Sequence, residues 1–376
     1  MCIALTAFGI LLIHSATVSQ LAEGEIISRS VLTTLIATTA GIIGCIIISL
    51  FEHDFIIRFW PIVGAVCLLL MLLLFPLGSS PNGRDDAISW LKFGFFYFQP
   101  SELLKVGFTI TFSVHLDNVK DELNKFSNIV YLALHAGLAI ALVILTGDLG
   151  SALVFMIMTI GLLFLAGVQL RYFVIGGAGV VLAAPIIWSN FLTPFQKQRF
   201  LAVYNPSELT ESMYKTVIYQ QQQGLSAIGA GKLTGQGLFN GTYTQAHLVP
   251  ENQNDMIFSV VGEELGFIGC IALLLFILLI VLKIISIGKI ASNNVGKLMC
   301  YSVALMISAQ TIINVGMCLK VLPVIGITLP FLSSGGSANL CIYLAIGLVL
   351  SVYRTSIERT PTEIRQNAMT TPFEEV

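Results

Sequence analysis

The sequence predicts an all-α integral membrane protein of about ten transmembrane helices with one large extracellular loop. Three observations carry that prediction. The 376 residues are 56% hydrophobic and only 11% charged, whereas an ordinary soluble domain carries about 25% charged residues. Apolar runs of roughly 17–25 residues, the length that crosses a bilayer as a helix, recur along the whole chain. Lys and Arg are shared unequally between the loops that join those runs.

Taken in order, the runs fall near 1–17, 30–50, 59–77, 100–116, 129–145, 149–167, 172–190, 256–282, 298–319 and 337–352. The first has no Lys or Arg ahead of it and no small-residue cleavage site, so it reads as a retained span and not a removed signal. The fifth and sixth are separated only by Gly147-Asp148-Leu149-Gly150. Either a tight turn or one long kinked helix fits there. Arg58, Lys120, Lys125, Arg171, Lys283, Lys289, Lys297, Arg354, Arg359 and Arg365 fall in one set of loops. Arg29, Arg84, Lys92 and Lys320 fall in the other. Positively charged loops stay inside. The first set and both termini are therefore expected in the cytoplasm, and the long 191–254 loop outside. Residues 1–353 read as one polytopic membrane domain, and 354–376 as a polar, mobile cytoplasmic tail.

The composition excludes other classes. A net charge of −2 without a basic tract gives no footprint for nucleic acid. The seven cysteines lie in or beside apolar runs and read as small buried hydrophobes, without zinc spacing or a disulfide framework.

The chemistry gathers in the outer loops. Between Glu251 and Glu264 four carboxylates stand where the longest polar stretch re-enters an apolar run. Acids there are costly to bury and call for a partner or a function. Asn254 or Asp255 could cap the helix that follows. Asp255 could equally be a carboxylate placed to take a proton or hold a divalent cation. Glu263 and Glu264 lie about 12 Å deeper at 1.5 Å per residue, as buried hydrogen-bonded groups or as the lining of a polar cavity. Glu102 and Lys105 share one helix face, either as a structural ion pair or as a cation presented to an anion. Lys197 and Arg199 follow the seventh span, and 220–223 are four glutamines. The glycine-rich 227–237 stretch could expose N–H groups to an anion or lie as a re-entrant loop on the bundle. It matches neither the phosphate-loop nor the dinucleotide pattern. Two prolines and three glycines between Pro323 and Ser337 mark broken-helix backbone. At membrane depth such backbone survives only in a protein interior or against a wet cavity.

Together these motifs resemble the SEDS family (shape, elongation, division and sporulation), whose best-known members are RodA and FtsW. The matching residues are Trp90; Gln99-Pro100-Ser101-Glu102 with Lys105; Asp148-Leu149-Gly150; Gln198-Arg199; Ala227-Ile228-Gly229; Gly235-Gln236-Gly237; Pro250-Glu251; and Asp255 with Phe258. The later matches are Gly262-Glu263-Glu264-Leu265-Gly266, Asn314-Val315-Gly316-Met317, Leu322-Pro323-Val324, and Leu329-Pro330-Phe331 with Ser333 and Gly335-Gly336-Ser337. The wording around 314–326 is nearer to RodA. Departures stand beside the matches: Gln253-Asn254-Asp255-Met256 replaces the usual His-Thr-Asp-Phe, Thr146-Gly147 the usual Gln-Pro, and Ser333-Ser334-Gly335-Gly336 the usual Ser-Tyr-Gly-Gly.

The resemblance implies a ten-helix SEDS fold in the bacterial cytoplasmic membrane. It implies a peptidoglycan glycosyltransferase that polymerises lipid II into glycan strands at the outer face, releasing undecaprenyl diphosphate. A class B penicillin-binding protein transpeptidase is the implied partner. It matches the family's essential acid to Asp255 and its ion pair to Glu102 and Lys105. Lys105, Glu102, Lys197, Arg199, Ser333, Gly335 and Gly336 are then the candidate substrate-binding residues, with a divalent cation (Mg or Mn) as a candidate cofactor. The competing classes are a lipid II flippase and a non-catalytic scaffold for a transpeptidase.

Overall fold

The apolar runs fold as helices, most of whose limits lie within a few residues of those expected, while the helices expected to end at 282 and 352 run on to Lys289 and Thr370. The computed structural model describes all residues except 22–23, 81–86, 95, 191, 209–217 and 371–376. Arg84, counted above among the outer cations, lies outside the described residues. The helices are α1 (Cys2–Thr17), α2 (Arg29–Leu50), α3 (Trp60–Leu72, continued by Leu74–Leu77), α4 (Pro100–Asn118), α5 (Phe126–Leu145), α6 (Leu149–Ala166), α7 (Leu170–Asn190), α8 (Pro194–Tyr204), α9 (Tyr219–Ala230), α10 (Ile257–Lys289), α11 (Asn294–Cys318) and α12 (Gly336–Thr370). The last helix runs on through the expected boundary at 353.

Nine helices among the described residues are long and apolar enough to cross a membrane. The tenth expected span is α4, and it differs in kind. It is too polar to face lipid, carrying Glu102, Lys105, Thr109, Thr111 and Ser113, all buried. It packs instead against α3, α5, α6, α11 and α12, and those helices supply the partners its polar groups require. Thr109, for example, shares a 3.0 Å hydrogen bond with Ser302 of α11. At the opposite extreme, α7 has no buried residue.

Two departures from simple spanning helices shape one end of the bundle. The 78–99 connection contains a three-stranded antiparallel meander, β1 (Gly78–Ser79), β2 (Trp90–Phe93) and β3 (Phe96–Phe98), in register at Ser79↔Trp90 and Leu91↔Phe98. From the sequence, 78–99 is only the connection between the runs at 59–77 and 100–116. Ser89 anchors the meander by donating to the carbonyl of Thr146 at the end of α5 (2.9 Å). The second departure is in α10. Gly266 breaks the helix at φ 68°, ψ −167°, backbone available essentially to glycine alone. The break frees the carbonyls of Glu263 and Glu264, which accept from the N–H groups of Gln236 and Gly237 at 2.9 Å each.

Candidate active site

The turn that delivers Asp255 is built from 251–256. Glu251 takes left-handed backbone (φ 55°), and its carbonyl accepts from the amides of Asn254 (3.0 Å) and Met256 (3.2 Å). Helix α10 then starts at Ile257, with Met256 as its N-cap and no side-chain cap bond. Neither Asn254 nor Asp255 performs the capping role that spacing allowed. The Asn254 amide donates instead to Glu251 Oε2 (2.5 Å). The Asp255 carboxylate, 9% exposed, accepts from Gln220 Nε2 of α9 at 3.5 Å.

Facing this turn is the broken segment 323–335. Its polar backbone is satisfied locally and by neighbours, as buried irregular backbone must be. Leu329 N donates to Ser333 Oγ (2.8 Å), Asn339 Nδ2 to Ser333 O (2.9 Å), and Asn339 N to Gly335 O (2.8 Å). Ser334 N reaches across to Gln253 O (2.9 Å), two residues from Asp255. Gly150 makes room for the segment, because a Cβ there would lie 2.7 Å from Ile325 O and from the Ile327 side chain. Ser333, Gly335 and Gly336 lie on the broken segment, which Ser334 ties to the Asp255 turn. Ser333 also lines a small cavity with Gln310, Thr328 and Asn339. The six non-glycine residues with positive φ among the described ones lie between Lys232 and Phe331. Of these, Glu251 and Phe331 belong to the turn at Asp255 and to the broken segment, and such backbone is a place where strain can be stored at a site.

The two cations of α8 part company. Arg199 lines a small cavity of about 20 Å³ with Gln196, Phe200, Gly147, Leu149 and Ile325. It is thereby placed beside Ile325 of the broken segment. Lys197 turns back and donates to Ser189 O at the end of α7 (3.3 Å).

Glu102 and Lys105 form the ion pair that their spacing suggested, at 2.8 Å. The Lys105 side chain is 0% exposed and Glu102 8%. A cation offered freely to an anion is therefore not what the fold presents: the ammonium is committed to its carboxylate within the bundle. Glu263 is likewise internal. Its carboxylate accepts from the amides of Tyr243 (2.6 Å) and Thr244 (2.9 Å) and from the Thr244 hydroxyl (2.7 Å). Glu264 takes the Ser15 hydroxyl of α1 (2.5 Å). The glycine-rich stretch ends α9 at Ala230 and continues as a docked loop over 231–237. Gly235 N donates to Gly231 O, and Gln236 and Gly237 spend their N–H groups on α10, so those donors are not available to an anion. Asp148 caps α6 through Ser151 N (2.9 Å) and accepts from Gln99 Nε2 and Ser101 Oγ, both at 2.8 Å. This single carboxylate joins the Gln-Pro-Ser-Glu and Asp-Leu-Gly motifs.

Among the described residues no three His, Cys, Asp or Glu side chains converge as a metal site. Sequence reasoning missed Gln220 and Asn314 as neighbours of Asp255. The four glutamines at 220–223 and the 314–317 motif were their only signals.

The sequence model of the FtsW, RodA and SpoVE proteins, described as cell cycle protein, matches residues 1–358. The chain belongs to that family. Its relatives include a protein of Wigglesworthia glossinidia brevipalpis named probable peptidoglycan glycosyltransferase FtsW, 35% identical over 75% of this chain and 73% of that one. Peptidoglycan glycosyltransferase MrdB of Escherichia coli is 30% identical over 78% and 77%. A solved chain from work on structural coordination of polymerization and crosslinking by a peptidoglycan synthase complex superposes with a TM-score of 0.78. It is 25% identical, with 94% of this chain and 96% of that chain covered. The rod shape determining protein RodA of Thermus thermophilus superposes at 0.65 over 94% and 95%, with 22% identity. The all-α membrane fold of this FtsW/RodA/SpoVE member is thus shared along nearly the whole chain.

Proposed function

We infer that the protein is a peptidoglycan glycosyltransferase that polymerises lipid II at the outer face of the cytoplasmic membrane. One observation carries the chemistry beyond family membership. Asp255 is a largely buried carboxylate on a turn closed by Glu251, with its side chain toward the amide-rich face of α9. That is the setting of a general base and not of a helix cap.

In the reaction, the 4-hydroxyl of an acceptor GlcNAc attacks the anomeric carbon of the growing strand's lipid-linked MurNAc. The new carbon–oxygen bond forms as the bond to the diphosphate breaks. The hydroxyl proton passes to Asp255, and undecaprenyl diphosphate leaves with the electron pair. Arg199 is the cation we assign to the charge growing on the diphosphate, since electrostatic stabilisation in a water-poor site lowers such a barrier most. Lys197 takes a peripheral place. Lys105, held by Glu102, supports the bundle under the site, and Ser333, Gly335 and Gly336 shape the broken segment. Both termini lie in the cytoplasm on this account. A class B penicillin-binding protein is the partner we propose, by analogy with the coordinated synthase complex above.

Purified protein, incubated with lipid II and that partner, should yield glycan polymer. Movement of lipid II across vesicles without polymer would favour a flippase. Neither polymer nor movement would leave a scaffold.

A further inference from the structure

Asp255 lies outside the helix that follows it, and no side chain caps that helix. Something else must fix its direction. Among the described contacts, the backbone of Asp255 is held most closely by Asn314, near the end of α11. Its Nδ2 donates one N–H to the Asp255 carbonyl (2.7 Å) and the other to the Ile327 carbonyl in the broken segment (2.7 Å). Asn314 is 0% exposed. The orientation of the amide is decided by its partners, because two carbonyls at that distance require the nitrogen and exclude the oxygen. Cys318, one turn on, approaches the same Asp255 carbonyl at 3.7 Å, a weaker contact at sulfur distance.

We propose that Asn314 is a positioning residue for the glycosyl transfer, locking the backbone of Asp255 to the broken segment so that the two keep one spacing. This rests on Asp255 as the general base. The Ser334–Gln253 bond makes a second tie between the same two segments. Of the two, only Asn314 grips Asp255 itself, and only Asn314 acts through a side chain that substitution can remove. Buried carbonyls outside regular structure need donors in any membrane protein, so a purely structural role must be separated by experiment.

The test uses the full chain with its transpeptidase partner in lipid nanodiscs. Asn314→Asp keeps size and shape but replaces the double donor with acceptor oxygens. Asn314→Ser keeps one donor. Lipid II polymerisation is measured as kcat and KM, normalised to folded protein. The expected result is a loss in kcat of about 10–100-fold, the order that a misplacement near 1 Å produces, with KM within about twofold of the parent. Asn314→Ser should fall between Asn314→Asp and the parent. Hydrogen exchange should rise at 253–256 and at 327–329 while the rest of α10 and α11 keeps its protection. Parental kcat in folded Asn314→Asp would overturn the proposal. So would a loss accounted for by the folded fraction alone, or failure of both variants to fold, which would assign Asn314 to the fold. An Asp255→Asn control keeps the two ideas apart. If Asp255→Asn polymerises normally, the base assignment falls whatever Asn314 does. If it is inactive while Asn314→Asp is fully active, only the positioning role falls.

Discussion

Removing either member of the Glu102–Lys105 pair should destabilise the bundle far more than removing both. The pair spans 2.8 Å with the Lys105 side chain fully buried. At an effective dielectric of about 20 the attraction is about 6 kcal/mol, set against the cost of taking both charges out of water. Lys105→Met leaves a buried carboxylate without its cation, and Glu102→Gln leaves a buried ammonium without its anion. Each should cost about 3–5 kcal/mol, the usual penalty for breaking one side of a buried pair. The double variant Glu102→Gln/Lys105→Met leaves neither charge. It should cost less than either single, because exchanging a whole buried pair for uncharged groups of similar volume is often close to neutral, so the two sites are strongly coupled. Unfolding in mixed micelles by SDS titration, monitored through tryptophan fluorescence, supplies the four free energies. Additive single costs would refute a closed internal ion pair. The same variants also address function. If Lys105 supports the fold and does not touch the diphosphate, the double variant regains polymerisation along with stability. A stable but inactive double variant would return Lys105 to the substrate.

Other consequences follow from single contacts. Gly266→Ala places a side chain in backbone that costs about 1–3 kcal/mol for non-glycine residues, and the new Cβ would also meet the Leu233 carbonyl at 2.6 Å. A lowered thermal midpoint in detergent checks it. Glu263→Gln puts an amide where three donors converge. It should lose about 1.5–3 kcal/mol for a hydrogen bond to a charged group, read by the same melt, with increased exchange at 242–245. Arg199→Ala should lower kcat for lipid II more than Lys197→Ala does, since only Arg199 faces the cavity beside the broken segment. Equal effects would put both cations in the same role. For orientation, a cysteine at Leu233, which is 65% exposed, should react with an impermeant maleimide from outside intact cells. A cysteine at Lys125 should react only after the membrane is opened.

The spans were legible because lipid imposes a length and an apolarity that the sequence must display. The exception is instructive. Helix α4 carries its function in buried polar side chains, so it fails a hydropathy criterion yet lies at the centre of the packing. The Glu102–Lys105 pair was legible because helical spacing alone brings the residues together. What spacing could not supply were contacts across the chain. Asn314 touches Asp255 over a gap of 59 residues, and Asp148 reaches Gln99 over 49. No local pattern encodes either. The helix cap expected of Asn254 or Asp255 failed for a related reason. The turn at Glu251 diverts the Asn254 side chain to a carboxylate three residues back, and α9 draws the Asp255 side chain elsewhere. Of the 227–237 stretch, for which a re-entrant loop is one of the two sequence readings, 227–230 close a helix and 231–237 pack as a loop. Their glycines are needed because the kink at Gly266 brings backbone against backbone, a demand visible only once both segments are in place.

The most direct test of the account is lipid II polymerisation by Asp255→Ala, assembled with its transpeptidase partner and matched to the parent for folded protein in the membrane. Glycan polymer made by the parent and absent from the variant, with both melting alike, is the predicted result. Polymer made by Asp255→Ala at the parental rate would contradict a catalytic carboxylate at this position.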